Sequence, residues 1–216
     1  MGQRNEKSSM YLYEASATQT INTTNVYHAI TGLLEGSVNG ATSYKASLSG
    51  SISLTANNGG VLRCTDVGHG LDTGDYITLN GMGDAAHNGI TRVTVIDTDV
   101  FDCDDIAYSS SADTGSWQRG ASMTINYGYG GIYNISFSIT GSVGAANKNI
   151  KVEAYKNITP LDEFAIERLF GNTGYGNAGS TGVALLTSGD VLWLASENTT
   201  DAADWTIRHA NINISK

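Results

Sequence analysis

The chain has 216 residues, 40% of them hydrophobic, only 15% charged, with 26 glycines and 1 proline. That apolar content excludes a disordered chain, and the length suffices to core one large or two small domains. The net charge of −9 repels phosphate backbones, so no nucleic-acid partner is expected.

No run approaches the roughly 18 apolar residues of a membrane span. No apolar signal core follows the opening MGQRNEKSSM either, so membrane insertion is not expected. Residues 1–17 are set aside as an N-terminal extension. TQTINTTNVYHAI then reads as a first strand. SYKASLSGSISLTA puts Tyr44, Ala46 and Leu48, then Ile52 and Leu54, on alternate positions, the period of a half-buried strand. MTINYGYGGIYNISFSITG places Ile132, then Ile135, Phe137 and Ile139; NIKVEAY places Ile150, Val152 and Ala154 on one face. TPLDEFAIERLFGN is readable as a helix opened by Pro160 or as a strand with Phe164, Ile166 and Phe170 on one face. Its strand-like neighbours favour the strand. DVLWLAS reads as a short buried strand, and WTIRHANINIS alternates Ile207, then Ile212 and Ile214. Heptads, collagen triplets and short repeats are missing, so no fibrous shaft is encoded.

The acidity is local. Residues 59–120 hold ten acids and three arginines, leaving eleven acids and nine bases elsewhere. Glycine-rich TANNGG (55–60) and GSWQRG (115–120) bracket this block. The organisation expected is a small domain, 59–120, inserted in an exposed loop of a larger discontinuous one, 18–58 and 121–216. Cys64 and Cys103 both fall in the block. They either pair or stay as small buried thiols, and the lack of any export signal favours free thiols.

Within the block, VGHGLDTGDYITLNG sets His69, Asp72 and Asp75 close together, with His87 following. A metal or acid–base site would need them to converge, and one turn preorganises that poorly. Ser/Thr-Gly-Asp entering an apolar strand recurs in LTSGDVLWL (186–194) without a histidine, which favours a structural turn at both places. Each aspartate is then worth roughly 1 kcal/mol, the scale of one local hydrogen bond. Elsewhere, Asp162, Glu163 and Glu167 sit beside Arg168 like ordinary surface charges, and His28 and His209 lie on strands without an evident acid. No nucleophile elbow, zinc-helix motif or phosphate loop occurs. Neither catalysis, a metal nor a cofactor is expected.

Two resemblances emerge. GHGLDTGDYITLNG, HNGITRVTVIDTDVFDC and TGSWQRG resemble the small FCCH-type β-barrel module of phage tail and virion proteins and of ubiquitin-activating enzymes. His69, Gly70, Leu71, Gly74, Asp75, Asn88, Gly89, Val95 and Phe101 match its pattern, while Thr91 and Arg92 depart from an expected aromatic. The flanks, with GGIYNISFSITG, IKVEAYKN, GVALLTSGDVLWLASEN and WTIRHANINIS, resemble the trimeric jelly roll of the complement and tumour-necrosis-factor type. Together these imply an all-β jelly-roll sandwich with an inserted small β-barrel. They further imply a non-enzymatic bacteriophage virion protein, assembled in the host cytoplasm: a homotrimeric capsid decoration, head fibre or short tail component. Its partners would be further copies of itself and other capsid or tail proteins. Tyr127, Tyr129, Tyr133, Phe137 and Trp193 are the candidate trimer interface, although each also suits an ordinary core. The alternative is a receptor-binding module for a host glycan or surface protein. It would use the long loop FGNTGYGNAGSTG (170–182), with Asn172, Tyr175 and Asn177 as candidate contacts.

Overall fold

A computed structural model describes residues 7–12, 17–19, 21, 23–37, 40–109 and 112–216. The chain is an all-β jelly-roll sandwich carrying a small β-barrel. Among the described residues no helix is long and apolar enough to cross a membrane.

One sheet of the sandwich runs β18 (Gly176–Leu186), β14 (Gly131–Val143), β20 (Trp205–Ser215), β1 (Lys7–Leu12) and β4 (Leu34–Glu35), with β2 (Ala17–Gln19) also on β20. The other runs β16 (Thr159–Pro160), β15 (Lys148–Lys156), β19 (Val191–Asn198), β13 (Ser122–Ile125) and β5 (Thr42–Lys45). There β17 (Ile166–Phe170) joins β15 and β3 (His28–Ala29) joins β19. Between the sheets lies one core. Tyr133, Ile135, Phe137 and Ile139 of β14 and Ile207, Ile212 and Ile214 of β20 meet Ile150, Val152 and Ala154 of β15 and Leu192 and Leu194 of β19. The change of parity between Ile207 and Ile212 has a structural cause. The β14–β20 register slips from Thr140–His209 to Gly141–Ile207, and such a bulge restores the inward face after one extra residue. Ile132 is out of phase with this core: it is 68% exposed, and Tyr133 takes the buried place.

The third sheet runs β6 (Leu48–Ile52), β12 (Gly115–Arg119), β9 (Tyr76–Asn80), β10 (Gly89–Val95), β11 (Val100–Ala107), β8 (Val61–Thr65) and β7 (Leu54–Asn58). Its two outer strands, β6 and β7, are one chain segment bent at Ser53. That segment therefore closes the sheet into a barrel around Leu62, Ile77, Leu79, Val93, Phe101 and Trp117.

Three boundaries expected from sequence are corrected. Residues 48–52 and 54–58 pair with barrel strands, so the barrel begins at Leu48 rather than at residue 59. Lys7–Leu12 is no extension: it forms a six-residue ladder with β20, while residues 1–6 and 13–16 lie outside the described residues. The stretch TQTINTTNVYHAI supplies two short strands, β2 and β3, instead of one; Thr20 and Asn22 lie outside the described residues. In the ambiguous segment, a 3-10 turn at Asp162–Phe164 precedes β17. Phe170 is buried and Ile166 half-buried in this strand, while Phe164, expected on the same strand face, is buried from the 3-10 turn instead.

The barrel is docked on the outer face of the second sandwich sheet. Residues 192–198 of β19 are consequently buried on both faces. Trp193, Tyr155 and Ala195 of the sandwich and Ala29 of β3 pack with Tyr76 and Ile90 of the barrel. Gly120 sits at this junction, where a Cβ would lie 3.2 Å from the Ile30 carbonyl oxygen and 3.5 Å from the Trp193 ring. The Thr78 hydroxyl accepts a hydrogen bond from the Ala29 amide at 3.2 Å.

Candidate functional site

The His69 stretch is a turn. Asp75 donates its amide to the Asp72 carbonyl (3.0 Å) and accepts the Asp72 amide on Oδ2 (3.0 Å), with Gly74 at φ 98°. The second occurrence repeats this geometry. Asp190 donates to the Thr187 carbonyl (3.0 Å) and accepts the Thr187 amide (2.8 Å), with Gly189 at φ 92°. Positive φ explains the glycine in each. His69 takes no part in this bonding: its Nδ1 accepts the Leu71 amide (3.0 Å), and its Nε2 lies 3.0 Å from the Asp97 carbonyl oxygen. His87 is fully buried elsewhere. The Ser109 amide donates to its Nε2 (3.1 Å), so the ring proton sits on Nδ1, 3.2 Å from Asp113 Oδ2. Burial raises the Asp113 pKa, but the amides of Asp84, Thr114 and Gly83 and the His87 ring outweigh it and hold the carboxyl below its usual range. These histidines therefore tie barrel loops together. Among the described residues no three His, Cys, Asp or Glu side chains gather as metal ligands would. Cys64 and Cys103 are free thiols with sulfurs 3.6 Å apart in the barrel core.

Of the expected interface residues, three are core. Tyr133 and Phe137 are buried between the sandwich sheets, and the Tyr133 hydroxyl donates to the Tyr129 carbonyl (2.6 Å). Trp193 is buried by the docked barrel, and its indole N–H donates to the Asn157 carbonyl (2.8 Å). Tyr127 is exposed and Tyr129 half-buried.

The expected ligand loop is shorter than 170–182, because β18 already starts at Gly176. Asn177 is a strand residue whose carbonyl accepts from Arg168 (2.6 Å). Asn172 caps its own loop through the Gly174 amide (2.9 Å). Tyr175 is exposed, and Arg208 holds it by a hydrogen bond to its hydroxyl (3.0 Å) with the guanidinium 5.3 Å from the ring centre.

Two features escaped sequence reasoning. The first is the outer face of the β18-β14-β20-β1-β4 sheet. Its middle carries Asn134, Ser136, Ser138, Asn211 and Asn213, flanked at one corner by exposed Ile132, Val183 and Leu185 and at the far edge by Tyr11 and Leu34. Lys7 is a charge at its margin. The alternation in GVALLTS could have announced Val183 and Leu185, but nothing local says that this face lacks a covering layer.

The second is a cleft of about 420 Å³ between barrel and sandwich. Lys45, Arg92 and Arg119 line it, with Asp75 as the carboxylate of the lining. Asp75 is buried. Its Oδ1 takes Lys45 Nζ and its Oδ2 takes Arg119, each at 2.5 Å. Arg119 also donates to the Ala46 carbonyl (3.1 Å), but its Nε has no partner among the described residues. Lys45 reaches Asp72 as well (2.7 Å), so one sandwich lysine latches the barrel turn. Below lie Ser122 and Thr124 of β13 beside Trp193 and Val191 of β19, with Tyr76 on the barrel side. Burial pushes the Tyr76 phenol up, so it stays a donor.

A separate group of side chains lies further along the same junction. The Tyr27 hydroxyl donates to Glu153 Oε2 (2.5 Å), and Lys151 stands 3.4 Å from that oxygen. Glu153 is buried, and its Oε1 has no partner among the described residues. Burial raises the Glu197 pKa despite Lys151. Neither carboxylate borders the cleft.

No family model matches the chain, and no curated protein does. Three solved structures superpose loosely. A tumour necrosis factor, Eiger, from S. frugiperda shares 11% identity at TM-score 0.34, over 80% of this chain and 93% of that one. The vertex protein P5 of PRD1 shares 14% at TM-score 0.32, over 68% and 99%. Dimeric latent PorU from Porphyromonas gingivalis shares 8% at TM-score 0.29, over 79% and 24%.

Proposed function

We propose that the chain is a non-enzymatic structural protein of a bacteriophage particle that works as a homotrimer, as a capsid decoration, head fibre or short tail component. The supporting observation is the outer face of the β18-β14-β20-β1-β4 sheet. A solvated face normally carries charge, and this chain has 33 acidic and basic residues to spend. Here the exposed positions are Asn, Ser and Thr with apolar corners. Charge depletion around exposed aliphatic side chains is the composition of an interface core. A closed three-fold arrangement buries such a patch on every copy without leaving an open end. The interface residues are then Ile132, Val183 and Leu185, not the buried Tyr133, Phe137 and Trp193.

Light scattering of pure protein should return three times the 22.7 kDa chain mass, and Val183→Glu with Leu185→Lys should give a folded monomer. A wild-type monomer at micromolar concentration overturns the trimer. Antibody against the chain should decorate phage particles that carry its gene; unlabelled particles overturn the virion assignment. One observation favours the alternative receptor-binding role: exposed Tyr175 is held in place by Arg208, as a preorganised contact would be.

A further inference from the structure

The cleft between barrel and sandwich is unexplained by a purely structural role. Three of the chain's twelve cations meet there, although the barrel block is the most acidic part of the molecule. The latch through Asp75 accounts for Lys45 and for one nitrogen of Arg119. It leaves Arg119 Nε buried without a partner and Arg92 without a salt bridge among the described residues. Arg119 Nε is sealed from solvent, so Arg92, exposed at the cleft and in no salt bridge among the described residues, is the cation placed to meet a ligand anion.

From this geometry we infer that the cleft binds an acidic monosaccharide unit through its carboxylate. Asp75 is already engaged by Lys45 and Arg119, and the Asp105 and Asp190 carboxylates lie near enough to act on Tyr76, so the positive charge offered to a ligand is that of Arg92. That suits a carboxylate monoanion better than a phosphate dianion. The rest of the lining is hydroxylic: Thr73 and Tyr76 on the barrel side, Ser122 and Thr124 on the floor. Such groups exchange hydrogen bonds with sugar hydroxyls, while Val191 and the Tyr76 ring offer apolar contact to a sugar face. A volume of about 420 Å³ lies in the lower range of small-ligand sites and accommodates one sugar unit, not an extended chain. The cleft is on the sandwich face opposite the apolar patch, so trimer formation through that patch leaves it open. This site is separate from Tyr175, and it stands whether or not the chain belongs to a virion.

The test is saturation-transfer NMR and calorimetry on the intact protein with N-acetylneuraminic acid and glucuronic acid. Glucose and inorganic phosphate serve as competitors. Both sugar acids should bind in the millimolar range or tighter. Arg92→Gln, an exposed site whose change should leave the melting curve unaltered, should weaken them about tenfold, the worth of one charged hydrogen bond. Thr124→Val should weaken them less, and Tyr175→Ala should have no effect. The inference is overturned if neither acid binds, if glucose or phosphate binds equally well, or if Arg92→Gln changes nothing. Binding lost in Tyr175→Ala but kept in Arg92→Gln would overturn the cleft and support the loop instead.

Discussion

Removing the carboxylate of Asp75 should cost about three times as much as removing that of Asp190, although both residues make the same turn. In each turn the side chain accepts the amide three residues back, a bond worth about 1 kcal/mol net. Asp190 adds the Thr187 hydroxyl (3.0 Å) and Asn157 (3.0 Å), both neutral and reachable by water. Asp190→Ala should therefore cost about 1 kcal/mol. Asp75 additionally neutralises Arg119, whose side chain is 10% exposed, and Lys45, which is 33% exposed. Breaking a buried ion pair by deleting one partner costs about 3–5 kcal/mol, because the other charge stays buried. The cleft lets water reach Lys45, which places Asp75→Ala near the low end, about 3 kcal/mol. Urea unfolding monitored by both tryptophan fluorescence and far-UV circular dichroism measures this, coincident transitions licensing the comparison. Asp75→Ala with Arg119→Met should recover about 1 kcal/mol or more of the loss, since no orphan charge remains. Equal costs for Asp75→Ala and Asp190→Ala, or strictly additive effects in the double variant, would refute the buried-charge reasoning.

Excising residues 59–120 should leave residues 48–58 as an unpaired, protease-sensitive segment on the sandwich, because β6 and β7 lose their partners. Excising 47–119 should keep a sandwich but uncover Trp193 and Tyr155, at about 2 kcal/mol each; a red-shifted tryptophan emission and a lowered melting temperature report it. Burial raises the folded-state pKa of Glu197 above its unfolded value, so stability falls as pH rises from the unfolded value through the raised one. Glu197→Gln should therefore gain stability relative to wild type at pH 7, and that gain should vanish near pH 4 in parallel melts. Asp113 behaves oppositely. Its pKa is held down by amides and His87, so its contribution is present above the unfolded value and lost as pH falls through the lowered one; Asp113→Ala should flatten the acid limb of the stability profile. Both cysteines should resist iodoacetamide in the folded protein and react in urea, since burial removes access and pushes the Cys103 thiol up.

The periodicities of β14, β15, β19 and β20 and the two Gly-Asp turns were readable because they are local: alternation and positive φ are properties of a few consecutive residues. The all-β class followed from them, whereas the jelly roll and the small barrel were expected from the resemblance of the motifs. Local signals could not say which strand pairs with which. SLSGSISLTAN alternates equally well in either sheet, and only its bend at Ser53, which closes the barrel, assigns it there. Nor could they say what covers a face. Trp193 and Tyr133 look alike as aromatics on strands, yet one is buried by a docked domain and the other between sheets, while Ile132, one residue from Tyr133, faces solvent. The cleft is the extreme case. Lys45, Asp75, Arg92 and Arg119 are scattered over 75 positions, and their charges meet only because the barrel returns to dock on the sandwich it interrupts. Coulomb energy depends on distance in space and on burial, and neither exists until the chain has folded.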